Sequence, residues 1–153
     1  MYRFSQKRGI ALQRIRDVES GQYVDQWITL EEVSLTIPDG RIITVPVGFV
    51  YDKASVPRIA WWWLPRDDRY VIDAALFHDY LYVTQKIEGE WIQRIEADQI
   101  FYGLMRQAGM RWTKAQLAYR AVRFGGWTFF NSRAKRIGNV NYVDSKEDDG
   151  LYS

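Results

Sequence analysis

Hydrophobic and polar residues alternate between positions 33 and 49, which is the pattern of β-strands that bury one face. A Pro-Asp-Gly turn at 38–40 divides the run, because proline presets φ and glycine tolerates positive φ. The run therefore predicts a β-hairpin, and Pro46 places its second strand at an edge, since proline cannot donate to a ladder. The positions predicted to face the core are Val33, Leu35 and Ile37, followed by Ile43, Val45, Val47 and Phe49. A weaker strand is predicted at 10–15, before a turn at 19–22.

Beyond residue 58 the apolar positions recur every three or four residues, which is typical of helices. The pattern predicts a short tryptophan-rich helix at 59–64 and longer helices at about 67–84, 92–108 and 113–124, with a loop at 87–90. Gly109 is predicted to end the second long helix and the Gly125-Gly126 pair to end the third. Thr113 and Gln116 have the spacing of a capping box at the start of the third.

Together these elements predict an α+β fold, in which an N-terminal antiparallel β-hairpin or small sheet packs against three to four C-terminal helices. A chain of 153 residues, 47% of them hydrophobic, is long enough for one core. Residues 1–137 are therefore expected to form a single α+β domain. Residues 138–153 have low hydrophobicity and end in an acidic run, so we expect an extended C-terminal tail that a partner would have to order.

The composition excludes several kinds of site. No cysteine is present, which rules out disulfides, thiolate metal ligands and a cysteine nucleophile. No apolar run approaches the roughly 18 residues that span a bilayer, so no membrane span is expected. No apolar signal core follows the N-terminus either. We expect the protein in the cytoplasm of the cell that makes it, unless it leaves inside a particle.

The net charge is only +2, but it is unevenly distributed along the chain. No acidic residue lies between positions 99 and 143, whereas basic residues recur throughout that stretch. Either this basic half packs beside the acidic half, or it presents a basic face to an anionic partner. The total charge is too small for strong non-specific binding of nucleic acid, and sequence-specific binding is not expected either.

Polar residues embedded in apolar runs are the candidates for a site. Asp52 and Ser55 lie on a predicted turn between a strand and a helix, His78 and Asp79 lie within one helix, and Asp98 lies in the next. Burying such groups is unfavourable unless they are paired, so the three islands predict one shared site. One imidazole with two or three carboxylates suits a divalent ion such as Zn²⁺, Mn²⁺ or Mg²⁺. The predicted metal ligands are His78, Asp52 and Asp98, with Asp79 supporting a ligand or acting as a base in hydrolysis.

Two other interpretations use the same residues. In a metal-free hydrolase Ser55 would be the nucleophile and His78 the base, oriented by Asp52 or Asp98. Ser55, however, is flanked by Ala54 and Val56 rather than by the glycines of a nucleophile elbow. In a purely structural interpretation Ser55 caps a helix, Asp52 bonds within its own turn, and His78 is a buried imidazole that joins two helices through a carboxylate.

The order of three motifs resembles a family of small phage and prophage proteins that is known as a domain of unknown function. The motifs are Gly-Phe-x-x-Asp-x-Ala-Ser-Val-Pro at 48–57, His-Asp-Tyr-Leu-Tyr at 78–82 and Glu-Ala-Asp-x-x-Phe at 96–101. The resemblance covers roughly residues 45–127 and implies phage origin. Within that context the surplus of aromatic residues, the edge strand, the basic C-terminal half and the tail favour a virion protein of the tail or particle, or an accessory protein. Such a protein would act through contacts around the polar Asp/His/Asp pocket with other phage structural proteins or with further copies of itself. The alternative is a metal-assisted hydrolase directed at peptidoglycan or nucleic acid.

Overall fold

The computed structural model describes residues 1–17, 19–52 and 69–139. It confirms the α+β class, with small antiparallel sheets first and three helices after them. The strands are β1 (Arg3–Phe4), β2 (Leu12–Arg16), β3 (Tyr23–Thr29), β4 (Val33–Thr36), β5 (Ile42–Val45), β6 (Val50–Asp52), β7 (Lys86–Ile87) and β8 (Glu90–Trp91). The helices are α1 (Arg69–Thr84), α2 (Arg94–Gln107) and α3 (Trp112–Asn139). The short helix predicted at 59–64, the residues proposed to begin the first long helix, and the tail beyond 139 lie outside the described residues.

The predicted hairpin is confirmed as β4 and β5, which pair antiparallel with Val33 opposite Val45 and Leu35 opposite Ile43. All four side chains are buried, as the alternation predicts. Gly40 supplies the turn, because its φ of 96° is readily adopted only by glycine. Strand β1 pairs with the other edge of β4, so the first sheet has the order β1-β4-β5. One face of this sheet packs against the core.

The second strand of the hairpin does not continue to Phe49, as the alternation predicted. Strand β5 ends at Val45, and the chain passes into a second sheet of order β2-β3-β6. Pro46 cannot extend the ladder, and Gly48 turns the backbone with a φ of 84°. Thr29 fastens this crossing, since its hydroxyl donates to the Pro46 carbonyl (2.8 Å) and accepts from the Phe49 amide (2.9 Å). Phe49 is therefore buried as predicted, whereas Val47 is 49% exposed.

A small hairpin replaces the loop predicted at 87–90. Strands β7 and β8 pair there, with Lys86 opposite Trp91. The two residues between them, Glu88 and Gly89, have φ values of 51° and 84°. Positive φ at both central residues matches the right-handed twist of paired strands, which allows so short a hairpin. Helix α2 begins shortly after it and ends before Gly109, whose φ of 107° confirms the predicted stop.

Helix α3 corrects the prediction for the last helix at both ends. It begins at Trp112, and the amide of Ala115 bonds to the carbonyl of Arg111 (3.0 Å), so Thr113 is inside the helix rather than its cap. It also continues through Gly125 and Gly126 to Asn139, two residues past the predicted domain boundary at 137. Each glycine costs a helix only about 1 kcal/mol relative to alanine, and no proline follows to force an end. A glycine pair therefore weakens this helix without ending it.

The core lies between the sheets and the three helices. Helix α1 is buried on most of its surface, because β5 and β6 lie on one side of it and α2 and α3 on others. The largest fully buried side chains are Phe49, Phe77, Tyr82, Phe101, Leu35, Ile43, Leu76, Leu81, Ile87 and Met105, together with His78. None of the helices within the described ranges is long and apolar enough to cross a membrane.

Candidate functional site

The polar residues of the second and third motifs meet where the three helices pack. His78 lies in the middle of α1, and Asp98 lies in α2, on the side that faces α1. Their side chains are 1% and 0% exposed. His78 Nε2 donates a hydrogen bond to Asp98 Oδ1 at 2.7 Å. The pair therefore joins α1 to α2 inside the core, where a polar contact is screened least by water.

Donor groups from all three helices surround the carboxylate of Asp98. The Tyr82 hydroxyl, one turn after His78, donates to the same oxygen at 2.6 Å. Arg123 of α3 donates to the other oxygen, Oδ2, at 2.9 Å. Arg94 approaches Oδ2 to 4.0 Å and also donates to the main-chain carbonyl of Arg123 at 3.0 Å. We call His78, Tyr82, Asp98 and Arg123 the polar cluster; it satisfies both oxygens of a fully buried carboxylate.

The electrostatics of the polar cluster favour charged forms despite burial. Burial by itself raises the pKa of Asp98, but the hydrogen bonds from His78, Tyr82 and Arg123 outweigh it and hold that pKa below its ordinary value. Burial would lower the pKa of His78, but the carboxylates of Asp79 and Asp98 outweigh it and raise that pKa. Burial and the neighbouring Asp98 raise the pKa of Tyr82. The Asp98 carboxylate is thus held in an ion pair with Arg123, and Tyr82 stays protonated as a donor.

A second group of polar atoms lies beside the cluster and is not satisfied. Asp79 is 1% exposed, and neither of its carboxylate oxygens has a hydrogen-bond partner among the described residues. The nearest nitrogen, His78 Nδ1, is 3.9 Å from Asp79 Oδ1, which is too long for a hydrogen bond. The buried hydroxyl of Tyr51, on β6, also lacks a partner within the described part of the chain. Burial raises the pKa of Tyr51, and the negative charges of Asp79 and Asp73 raise it further.

The structure brings together three of the residues that the sequence placed in one site. His78 and Asp98 are hydrogen-bonded, and Asp79 lies beside them. Asp52 ends β6, opposite Gln26 in the register of the sheet, and its side chain lies outside the described part of the structure. Ser55 lies wholly outside it. A site that includes Asp52 or Ser55 therefore stays a prediction.

Sequence reasoning missed Tyr82, Arg94, Arg123 and Tyr51. Two of these had a local signal, because Tyr82 follows His78 by four residues and Arg94 precedes Asp98 by four, which puts each pair on one helix face. Arg123 had none, since it reaches Asp98 only through the packing of α3 on α2. Glu96, another motif residue, pairs instead with Arg41 at the tip of the β4–β5 hairpin.

The polar cluster contains two of the three predicted metal ligands, His78 and Asp98. Within the described ranges, no three His, Cys, Asp or Glu side chains gather closely enough to hold a metal ion. Both oxygens of Asp98 already accept hydrogen bonds, one of them from the guanidinium of Arg123. An ion that used Asp98 as a ligand would therefore have to bind beside these donors, close to the fixed positive charge of Arg123.

These features define an α+β protein with a buried histidine–aspartate pair at the junction of its three helices. The chain belongs to the family described as "Protein of unknown function (DUF1353)", whose pattern matches residues 27–122, well over half of its length. The match includes β4 to β8, α1, α2 and α3 as far as Val122. Comparison with the curated proteins and with the solved structures found no match.

Proposed function

We propose that this chain is a phage-encoded virion or accessory protein that acts through protein–protein contacts made by the outer face of α3. The observation that carries the proposal is the exposure of large apolar side chains on this helix. Phe124 is 92% exposed, and Leu117, seven residues earlier and so on the same face, is 42% exposed. A phenylalanine this exposed forgoes most of the free energy that burial of its ring would give.

The charge around these residues indicates the chemistry of the partner. Arg120 lies exposed between Leu117 and Phe124 on the same face. No acidic residue occurs anywhere in α3. An acidic protein surface with an apolar depression would complement this face in both charge and hydrophobicity. Large apolar side chains with an arginine between them have the composition of binding hot spots, in which aromatic residues and arginine are enriched.

The polar cluster supports this role by holding the helix that carries the face. Arg123 is next to Phe124, and its guanidinium is tied to Asp98 in the core. Arg94 adds a second link to the same turn of α3 through the Arg123 carbonyl. These links fix the rotation of α3 about its own axis, so that the face around Phe124 points away from the core.

The proposal can be tested in particles of the producing phage. Mass spectrometry of purified particles should detect the chain, and a phage that carries Phe124→Asp should yield particles that lack it or fail to assemble. Far-UV circular dichroism of the purified variant should show the wild-type fold, because the side chain is almost entirely exposed. The matched control is Val47→Asp, which changes an exposed apolar residue on the β-sheet side. It should leave incorporation unchanged.

The purified wild-type chain should also self-associate or require its partner for solubility, and Phe124→Asp should relieve this behaviour in light scattering. Light scattering also distinguishes a second copy of the chain from another phage protein as the partner. If particles contain no copy of the chain and the Phe124→Asp phage assembles normally, the proposal is wrong.

The second candidate is a metal-assisted hydrolase directed at peptidoglycan or nucleic acid. The observation in its favour is the hydrogen bond from His78 to Asp98, since a carboxylate that orients an imidazole is common to many bases and metal ligands. Burial counts against it, because a general base must come within hydrogen-bond distance of its substrate, and His78 and Asp98 are sealed among the helices. Assays on peptidoglycan and on nucleic acid, with and without Zn²⁺ or Mn²⁺, would test it directly.

A further inference from the structure

A cleft of about 700 Å³ lies between the β2–β3 pair, the first turns of α1 and the end of α2. Its volume is in the range of sites that hold a small molecule or a few side chains. Most of its lining is apolar and only half-buried, so covering the cleft would remove hydrophobic surface from water. The large apolar residues of the lining are Ile10, Leu12, Trp27 and Ile72.

The charged residue of this lining is Asp73, which lies on α1. It is half-buried, and no described side chain forms a hydrogen bond or an ion pair with its carboxylate. None of the lining residues is basic. Burial raises the pKa of Asp73, which means that its negative charge is unfavourable in the isolated folded chain. A partner that brought a positive charge into the cleft would remove this disadvantage.

The end of α2 gives the cleft a second negative feature. Ala108 is the C-terminal cap of α2 and lines the cleft. The last carbonyl groups of a helix carry a partial negative charge, which favours a cation nearby. The cleft is therefore suited to a basic side chain that is flanked by apolar ones, rather than to an anion or to a purely apolar ligand.

The α3 face, which we define as Leu117, Arg120 and Phe124, has the complementary composition. Arg120 is exposed and forms no ion pair with any described residue. Phe124 is 92% exposed, so it does not occupy the cleft of its own chain. The three residues follow one another at intervals of three and four, so they form one ridge that can enter one cleft. The same chain thus carries a basic apolar ridge and an acidic apolar cleft.

We propose that the partner of the α3 face is a second copy of this chain, whose cleft receives Phe124 and pairs Asp73 with Arg120. This inference rests on the proposed function of the α3 face and names its partner. The contact joins two different surfaces, so it is heterologous, and copies can add to one another through it. The arginine–carboxylate pair would set the register of the contact, while the apolar side chains around it exclude water.

The test is analytical ultracentrifugation of the purified full chain over a range of concentrations. The wild type should form dimers or larger species, and Asp73→Arg should weaken this association at least tenfold, because two positive charges would then meet in the cleft. The matched control is Glu90→Arg, the same reversal of charge at an exposed residue of β8 outside both surfaces. It should associate as the wild type does. Asp73→Asn provides a milder change, and far-UV circular dichroism should show that all three variants are folded.

Mixing two variants distinguishes this contact from a symmetric contact between two α3 faces. The Asp73→Arg chain keeps its α3 face, and the Phe124→Asp chain keeps its cleft. Neither should associate by itself, whereas the mixture should form a complex of two copies. Arg120→Asp should also weaken association, and a chain that carries both Asp73→Arg and Arg120→Asp should associate again, because the two charges have exchanged places.

Three results would overturn the proposal: a wild-type chain that stays monomeric, an Asp73→Arg chain that associates like the wild type, or a mixture that forms no complex. Each of these leaves the virion role intact if particles still lose the Phe124→Asp chain, since the α3 face would then bind another protein. If the mixture forms its complex but particles contain no copy of the chain, the virion role is wrong and the contact between copies stands.

Discussion

Replacing Asp98 with alanine is the sharpest test of the structural role of the polar cluster. The substitution removes the acceptor shared by His78, Tyr82 and Arg123. It leaves a buried imidazole, whose pKa Asp98 had helped to raise, and a buried hydroxyl without their acceptor. The damage therefore comes less from the lost attraction than from the polar groups left without a partner in a dry interior.

The expected loss of stability follows from the burial of the ion pair. Removing one member of a buried ion pair typically costs about 3–5 kcal/mol. For a domain of this size each kcal/mol lowers the Tm by about 2–4 °C, so Asp98→Ala should lower it by about 6–20 °C. Folded domains are stable by only about 5–15 kcal/mol in total, so the variant should be close to the limit of folding at physiological temperature.

The assay is denaturant and thermal unfolding of purified chains in the presence of a metal chelator. Asp73→Ala is the matched control, because Asp73 is a half-buried helical aspartate with no hydrogen-bond partner among the described residues. Burial raises the pKa of Asp73, which means that its charge is unfavourable in the folded state, so this substitution should not lower the stability. Tyr82→Phe should cost about 1.5–3 kcal/mol in the wild-type background, as expected for a hydrogen bond to a charged group, and much less in the Asp98→Ala background.

Two results would refute this reasoning. One is a decrease in Tm for Asp98→Ala no larger than that for Asp73→Ala. The other is equal effects of Tyr82→Phe in the two backgrounds, since that would mean the hydroxyl and the carboxylate contribute independently. Either result would mean that the ion pair is not what holds α1, α2 and α3 together.

Three further predictions concern other parts of the fold. Phe77→Ala should lower the free energy of unfolding by about 3–5 kcal/mol in denaturant, because the Phe77 ring is fully buried. Phe124→Ala should change it by less than about 0.5 kcal/mol, because the Phe124 ring is exposed. Equal losses in the two variants would contradict the packing. Gly103→Ala should lower the Tm, because a Cβ there would overlap the Tyr2 ring, but it should raise the Tm in a Tyr2→Ala background, where only the gain in helix propensity remains. The pKa of His78 lies above its ordinary value of 6.5, so its stabilising contribution is complete below that pH and is lost as the pH rises through the folded-state pKa. With chelator present, the Tm should therefore fall on the alkaline side of pH 6.5 in the wild type, and less so in His78→Gln.

The elements that the sequence predicted correctly are those set by local chemistry. The β4–β5 hairpin follows from alternation around a Pro-Asp-Gly turn, and the end of α2 follows from a glycine that adopts positive φ. The polar residues His78 and Asp98 could be singled out because each interrupts an apolar run on a helix. Backbone conformation and the cost of burying a polar group are properties of short segments, and sequence patterns report them directly.

The errors arose where a local signal competes with contacts from elsewhere in the chain. The alternating pattern predicted that the second strand would continue to Phe49, but the hydrogen bonds of the Thr29 hydroxyl hold the chain where it crosses into the other sheet. Two glycines predicted the end of α3, but their small local penalty does not stop the helix. The β7–β8 hairpin is too short to leave a periodic pattern at all.

The sequence by itself determined the α+β class, the hairpin, the order of the three long helices and the polar residues that would need partners. Only the tertiary structure decided what those partners are: Arg123 for Asp98, and no described side chain for Asp79. The physical reason is that periodicity records which face of an element is buried, while the pairing of buried polar atoms depends on how helices distant in sequence are placed against one another.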